Sequence, residues 1–329
     1  MVTPKTAIIS GVTGQDGSFL SELLLGKNYR VIGLKRRTSA IRTERIDHLY
    51  KHRRFELKYF DLNDTAAIWK LIKDYKPDEF YNLAAQSHVR VSFDLPENTV
   101  DGIAMGTLRI LNAIKELSPE TRFYQASSSE MFGDNPKFPF NEDSKLMPAS
   151  PYACAKVFAH NLVRSYRSSY GLHASAGILF NHESERRGET FVTRKITLAA
   201  ARIKMGLQEK VHLGHIDSLR DWGYAKDYVK AMWTMLQQPA PDDYVISTGE
   251  MCSVRDFADY VFNYAGLGPS EEYIEIDARL FRPHEVSLLI GDASKAKNKL
   301  AWFAKTDVKG LAKIMYNSDY KKIKEEING

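Results

Sequence analysis

Apolar residues fall along the first half of the chain in short dense runs separated by longer amphipathic segments. TAIIS is followed by FLSELLL, YRVIGL by a charged stretch, FELKYF by DTAAIWKLIKDYK, and DEFYNLAA by MGTLRILNAIKELS, with RFYQASS next. The short runs predict strands and the periodic segments predict helices. Strands alternating with helices need right-handed crossovers, which build a parallel sheet covered on both faces. The early half is therefore α/β.

A Pro/Gly-rich connection, EMFGDNPKFPFNEDSKLMPASP, leads into a helix predicted from Tyr152 to Tyr170, which Gly171 is placed to stop. Beyond Ile178 the pattern changes to polar, arginine-containing loops between helices such as TRKITLAAARIKMG. The expected division is residues 1–177 for the sheet and residues 178–329 mainly for substrate, with segments near 224–247, around YAKDYVKAMWTML, returning to the first domain. The lysine-rich end, KKIKEEING, reads as a solvated terminus.

Composition narrows the classes. The 329 residues are worth about two domains. With 43% hydrophobic residues and 26% charged ones the chain is an ordinary globular sequence, which excludes disorder as its main state. A net charge of +5 is weak support for nucleic-acid binding, and no aromatic-interleaved basic stripe adds to it. Cys154 and Cys252 make neither a disulfide framework nor, alone, a zinc site, so a reducing cytoplasm fits. MVTPKTAIISG reads as a first strand rather than a signal peptide, and no apolar run is long enough to span a bilayer, so no membrane partner is expected.

Gly11-Val12-Thr13-Gly14-Gln15-Asp16-Gly17 sits between the first strand and the first helix. Glycines there allow a tight turn and close approach of backbone N–H groups to a pyrophosphate at a helix N-terminus, which marks a dinucleotide site. After the second strand, RVIGLKRRTS offers Lys35, Arg36 and Arg37 where an NAD site usually has a carboxylate. Guanidiniums there can grip a 2′-phosphate, so NADP is favoured, although the same residues also fit a solvated or subunit-facing patch. Asp61-Leu62 and Leu83-Ala84-Ala85 end later strands along the expected dinucleotide path.

Tyr152 and Lys156 form a YxxxK pair whose i,i+4 spacing places both side chains on one helical face. A tyrosine with a pKa near 10 is a poor base at neutral pH, and the ammonium supplies the reason for the pair. Ser128 and Glu130 follow the strand RFYQA and share a side of an extended backbone, whereas Ser129 points away. A carboxylate there suits removal of a proton alpha to a transient ketone; its bland reading is a solvated charge or helix cap.

The motifs GVTGQDG, LKRRTS with RIDHLY, YNLAAQSHVRVSF, FYQASSSEMFG, SPYACAK, GILFNHESERRGETFVTRKI, DSLRDWGYAKDYVKAMW and RPHEV run through nearly the whole chain. In them the sequence resembles the GDP-mannose 4,6-dehydratases, members of the extended short-chain dehydrogenase/reductase group. The resemblance implies a Rossmann-like parallel sheet with helices on both faces and a smaller mixed α/β substrate-binding domain. It also implies a tightly held NADP, reduced and reoxidised within one turnover that oxidises C4, eliminates water across C5 and C6, and returns hydride to C6. Ser128 stands where that family usually has a catalytic threonine, Glu130 where it has its acid/base carboxylate, and Tyr152 and Lys156 where it has its tyrosine and lysine. Serine keeps the hydroxyl and loses a methyl that restricts the rotamer. Cys154 takes a small-residue position and is expected to pack in the interior.

The expected cofactor site is Gly11, Thr13, Gly14, Gln15, Asp16, Gly17, Arg36, Arg37, Asp61, Leu62, Leu83, Ala84, Ala85, Ser87, Tyr152, Lys156, Leu179, Asn181, His182 and Arg187. The expected substrate site is Ser87, His88, Ser128, Glu130, Tyr152, Asn181, Glu183, Arg187, Lys195, Leu213, Gly214, Arg220, Arg282 and Glu285. Its arginines suit a diphosphate, but every nucleoside diphosphate offers similar phosphates, so guanine and mannose come from the resemblance alone. A GDP-manno-heptose remains an alternative substrate. An NADP-dependent GDP-sugar C4 epimerase or reductase, and a nucleotide-binding regulatory protein without turnover, are the alternative functions. The histidines show no short-spaced ligand set, so no catalytic metal is expected. The resemblance further implies a homodimer or homotetramer.

Overall fold

The computed structural model describes residues 3–39, 41–281 and 283–328. Strand β1 (Thr6–Ser10) is the run TAIIS, buried beyond Thr6. Ala7 and Ile9 enter one hydrophobic core and Ile8 the other, so the strand needs cover on both sides. It is joined by β2 (Arg30–Lys35), β3 (Phe55–Tyr59), β4 (Glu79–Asn82), β5 (Arg122–Ser128), β6 (Ala174–Leu179) and β7 (Asp243–Ile246). All pair in parallel, in the order β7-β6-β5-β4-β1-β2-β3. The chain leaves β1 toward β2 and β3, then crosses back to β4. Strand order reverses between β1 and β4, the place where a parallel sheet of this Rossmann type opens a crevice at its C-terminal edge.

The principal helices are α1 (Gln15–Gly26), α2 (Thr65–Tyr75), α3 (Gly106–Leu117), α4 (Pro151–Tyr170), α5 (Val192–Lys204), α6 (Ala225–Gln237), α7 (Val254–Tyr264) and α8 (Val308–Asn328). α1 and α6 cover one face of the sheet, while α2, α3 and α4 cover the other. The late segment YAKDYVKAMWTML thus lies against the first helix, and β7 extends the sheet beyond β6. α4 begins one residue earlier than its pattern predicts: Pro151 takes the first turn and the Ser150 hydroxyl accepts from the Ala153 amide at 3.1 Å. Gly171 ends it with φ of 68°, a left-handed stop.

A separate core gathers α5, α7 and α8 around Trp222, Phe257 and Phe262. Short strands accompany it, including Val211–Leu213 paired in parallel with Ile274–Ile276. Asn181–Glu183, which follows β6 directly, pairs with Trp222–Tyr224. That pairing carries the chain from the end of the sheet into the second core. No helix among the described residues is long and apolar enough to cross a membrane.

Candidate active site

The glycine turn is built by close approach of backbone. Gly11 has φ of +72°, and a Cβ there would lie 3.0 Å from the Ala84 backbone. A Cβ on Gly17 would lie 2.5 Å from the Gly11 carbonyl oxygen, so side chains are excluded where α1 meets the turn. The Ser10 hydroxyl donates to Asn82 Oδ1 at 2.9 Å and accepts the amides of Leu83 and Ala84 at 3.0 and 3.1 Å. One hydroxyl thereby joins the ends of β1 and β4.

A cavity of about 860 Å³ opens over these strand ends. Gly11, Thr13, Gly14, Gln15, Asp16 and Gly17 form its floor, and Lys35, Arg36, Asp61 and Leu62 one end. Leu83, Ala84, Ala85, Ser87 and His88 border its middle, followed by Leu179, Asn181, His182, Glu183 and Arg187. Lys195, Leu213 and Gly214 reach it from the second core. Among the described residues seven Lys or Arg line it against four Asp or Glu, a wall suited to phosphates.

Ser128, Glu130, Tyr152 and Lys156 meet in the same cavity. The placement of the first two has a different local cause from the one expected. β5 ends at Ser128 and the chain turns into a short 3₁₀ helix, Ser129–Phe132, capped by Ser128 Oγ accepting the Glu130 amide at 3.2 Å. The strand alternation used to pair Ser128 with Glu130 therefore stops before Glu130, and the turn performs the alignment. Lys156 Nζ donates to the Ala126 carbonyl at 2.6 Å and sits 5.6 Å from the Tyr152 ring centre. Burial pushes the Tyr152 phenol up to about 12; a hydrogen bond with Ser128 opposes the shift and the Glu130 charge adds to it. Burial likewise draws Lys156 down to about 8. In the protein alone Tyr152 is a neutral phenol at neutral pH.

The loop after β6 is fastened from several sides. Gln15 Nε2 donates to the His182 carbonyl at 3.0 Å, and Ser184 Oγ to Gln15 Oε1 at 2.7 Å. Arg187 lies 3.0 Å from Glu183, which also accepts from Thr193 Oγ1 at 2.5 Å. Arg194 donates to the carbonyls of Glu185 and, at 3.0 Å, Arg187, and is held by the buried Asp319 of α8 at 2.6 Å. Burial lowers Lys195, with Asp277 opposing.

Some expected residues stand elsewhere. Arg37 is exposed and off the cavity lining. Arg220 and Glu285 pair with each other at 2.6 Å, also off the lining. Arg282 lies outside the described residues. Cys154 is exposed, not packed inside as expected. A residue two positions from Tyr152 is turned about 200° round the helix, so the face that buries Tyr152 carries Cys154 outward. The lining also includes Arg90, Phe191 and Trp222, which lie within the quoted motifs but were not among the expected site residues, and Arg279, which lies in none of them. The register of Ile274–Ile276 against Val211–Leu213 brings the segment containing Arg279 beside Gly214, a pairing across sixty residues of chain.

The family model for GDP-mannose 4,6 dehydratase matches residues 8–315. The chain belongs to that family. A GDP-mannose 4,6-dehydratase of Sinorhizobium fredii is 49% identical, covering 97% of each protein. GDP-mannose 4,6 dehydratase 2 of Arabidopsis thaliana is 51% identical over 98% of this chain and 88% of its own. In fold the chain is similar to UDP-glucose 4-epimerase of Thermotoga maritima, with a TM-score of 0.83, 23% identity and coverage of 97% and 99%. The dehydratase family assignment thus rests on relatives of nearly equal length, and the shared architecture extends to a different nucleotide-sugar enzyme.

Proposed function

We propose that this member of the dehydratase family converts GDP-D-mannose to GDP-4-keto-6-deoxy-D-mannose and water, with NADP as its resident cofactor. The observation that carries the reading is the meeting of Ser128 and Glu130 with Tyr152 and Lys156 in one cationic cavity. An alcohol dehydrogenation needs the hydroxyl, phenol and ammonium; Glu130 adds the base that an elimination requires.

The glycine turn fits a dinucleotide, because a Cβ at Gly11 or Gly17 would fill the cradle. Lys35 and Arg36 line the end where the adenosine ribose would lie, and Gly33–Ser39 contains no carboxylate, which favours a 2′-phosphate. When bound, the nicotinamide supplies a positively charged ring that accepts hydride from the sugar and later gives it back. Once the phenol has given up its own proton to solvent, Tyr152 Oη, as phenolate, takes the proton of the 4-hydroxyl, while Ser128 Oγ hydrogen-bonds the oxygen that becomes the ketone. Lys156 supports the phenolate, whose formation burial and the Glu130 charge oppose. The 4-ketone acidifies C5–H; Glu130 removes that proton and delivers it to the departing 6-hydroxyl, so water leaves and the carboxylate is regenerated, and the proton Tyr152 took from the 4-hydroxyl goes to C5 as hydride is restored at C6.

Arg187, Lys195 and Arg279 are the cavity cations placed for the GDP diphosphate, with Leu213 and Gly214 beside them. In this reading residues 1–177 supply most of the cofactor wall, and residues 178–329 most of the sugar-nucleotide wall. Met105 and Phe158 expose apolar side chains away from the cavity lining, which supports a homodimer or homotetramer. A cytoplasmic setting accords with the free Cys154 and Cys252.

The test is incubation of the purified protein with GDP-mannose and, separately, GDP-manno-heptose, without added reductant, followed by mass spectrometry. A product lighter by one water, formed faster from the mannose, is expected. An unchanged mass with bound dinucleotide confirmed would overturn the assigned reaction, and a faster heptose reaction would overturn the substrate.

A further inference from the structure

His182 lies between two hydrogen-bond acceptors. Its Nδ1 is 2.8 Å from the Phe180 carbonyl oxygen and its Nε2 is 2.8 Å from Asp16 Oδ2. A neutral imidazole has one N–H and one lone pair, and satisfies one of these acceptors. The other carboxylate oxygen, Asp16 Oδ1, already accepts from Gln15 Nε2 at 3.1 Å. One further proton is therefore needed. An imidazole, with an ordinary pKa of about 6.5, holds it better than a carboxyl, at about 3.9.

The surroundings agree. The charged groups acting on the ring are Asp16 from α1 and Arg187 from its own loop. α6 presents the Tyr228 ring, stacked on the imidazole with centroids 4.6 Å apart, and the neighbouring strand presents Gly223. An aromatic face stabilises a cation above it. Burial would lower the imidazole, and the charge and hydrogen bond of Asp16 outweigh it, raising the ring above its ordinary value. Burial would raise the Asp16 carboxyl, and the His182 cation outweighs it in turn.

Asp16 stands in the first turn of α1, at the floor where a pyrophosphate would lie. An uncompensated carboxylate there would repel that ligand. We infer that His182 is held as an imidazolium, and that its ion pair with Asp16 is a positioning device that neutralises the floor and straps residues 181–183 to the glycine turn. The charge assignment stands on the geometry of the cofactor-free protein. The effect on binding rests on the dinucleotide reading proposed above.

The first measurement is nitrogen NMR of the cofactor-free protein labelled in its histidine rings, with His182 assigned by its loss in His182→Gln. Both ring nitrogens are expected to carry protons from about pH 6 to pH 8, whereas Asp16→Asn, which keeps the shape, gives a neutral ring over that range. A neutral ring in the unmodified protein overturns the inference. The second is NADP affinity: His182→Gln weakens it about tenfold by exposing Asp16, and Asp16→Asn with His182→Gln recovers it to within about threefold. Additive losses in the double variant overturn the neutralising role. If the unmodified protein binds no dinucleotide, the cofactor reading fails, and the ring spectrum still decides the charge. Melting curves establish that each variant is folded.

Discussion

At the glycine turn, polar groups are committed to one another through short bonds that tie strand ends together: Ser10 holds the amides of Leu83 and Ala84, and Asn82 continues to Gln125 at 2.9 Å. Across the cavity the cations are held by acids. Arg187 faces Glu183 at 3.0 Å, and Arg279 faces Asp277 at 2.7 Å. A ligand meeting the first wall finds a finished surface shaped by the absence of Cβ atoms. A diphosphate meeting the second wall must compete with carboxylates already in place. Preorganisation is thus uneven: the wall proposed for the cofactor is rigid and suits a group that stays through many turnovers, while the wall proposed for the sugar nucleotide suits one that must leave.

Tyr152 lies on the seam between the walls, and its loss is the largest effect expected. Tyr152→Phe should lower kcat on the order of a thousandfold, with the affinities for NADP and GDP-mannose nearly unchanged. A comparable loss of either affinity would show that the phenol binds rather than reacts. Gly17→Ala strikes the rigid wall, because its methyl would meet the Gly11 carbonyl oxygen at 2.5 Å. It should weaken dinucleotide binding by about tenfold or more and destabilise the fold by about 1–3 kcal/mol, read by titration and by melting. Lys195→Ala strikes the other wall and should raise KM for GDP-mannose by about tenfold, leaving dinucleotide affinity within about twofold. Equal damage to both ligands by either substitution would break the comparison.

A further expected effect is one of pH. An unfolded lysine keeps its proton to about 10.5, while folded Lys156 gives it up near 8. Between those values the unfolded chain binds more protons, so stability rises with pH across that window. Relative to Lys156→Met, the unmodified protein should gain up to about 3 kcal/mol from pH 8 to pH 10.5. A constant difference over that range would mean that the ammonium is solvated rather than buried.

Features set by neighbours in sequence were legible before the fold was seen. The glycine turn needs only the strand before it and the helix after it, and the Tyr152–Lys156 pair needs only helical spacing. Ala225–Gln237 shares one core with the first helix, a contact made across about two hundred residues of chain. Polar pairs made by residues far apart in the chain were not legible. Asp16 meets His182 across 166 positions, and Arg194 meets Asp319 across 125. Neither pair leaves a periodic trace. Cys154 is different: helical spacing from Tyr152 already pointed it outward, and the tendency of small residues to be buried was the weaker guide.

The central claim is the division of labour between Tyr152 and Glu130, and the variant Glu130→Gln tests it most directly. With GDP-mannose and no added reductant, the absorbance of reduced dinucleotide should rise and persist in a single turnover. Formation of the product lighter by one water should slow by a hundredfold or more, on the order expected for loss of an acid/base group. Undiminished loss of water in this variant would contradict the account, because the proton at C5 would then be leaving by another route.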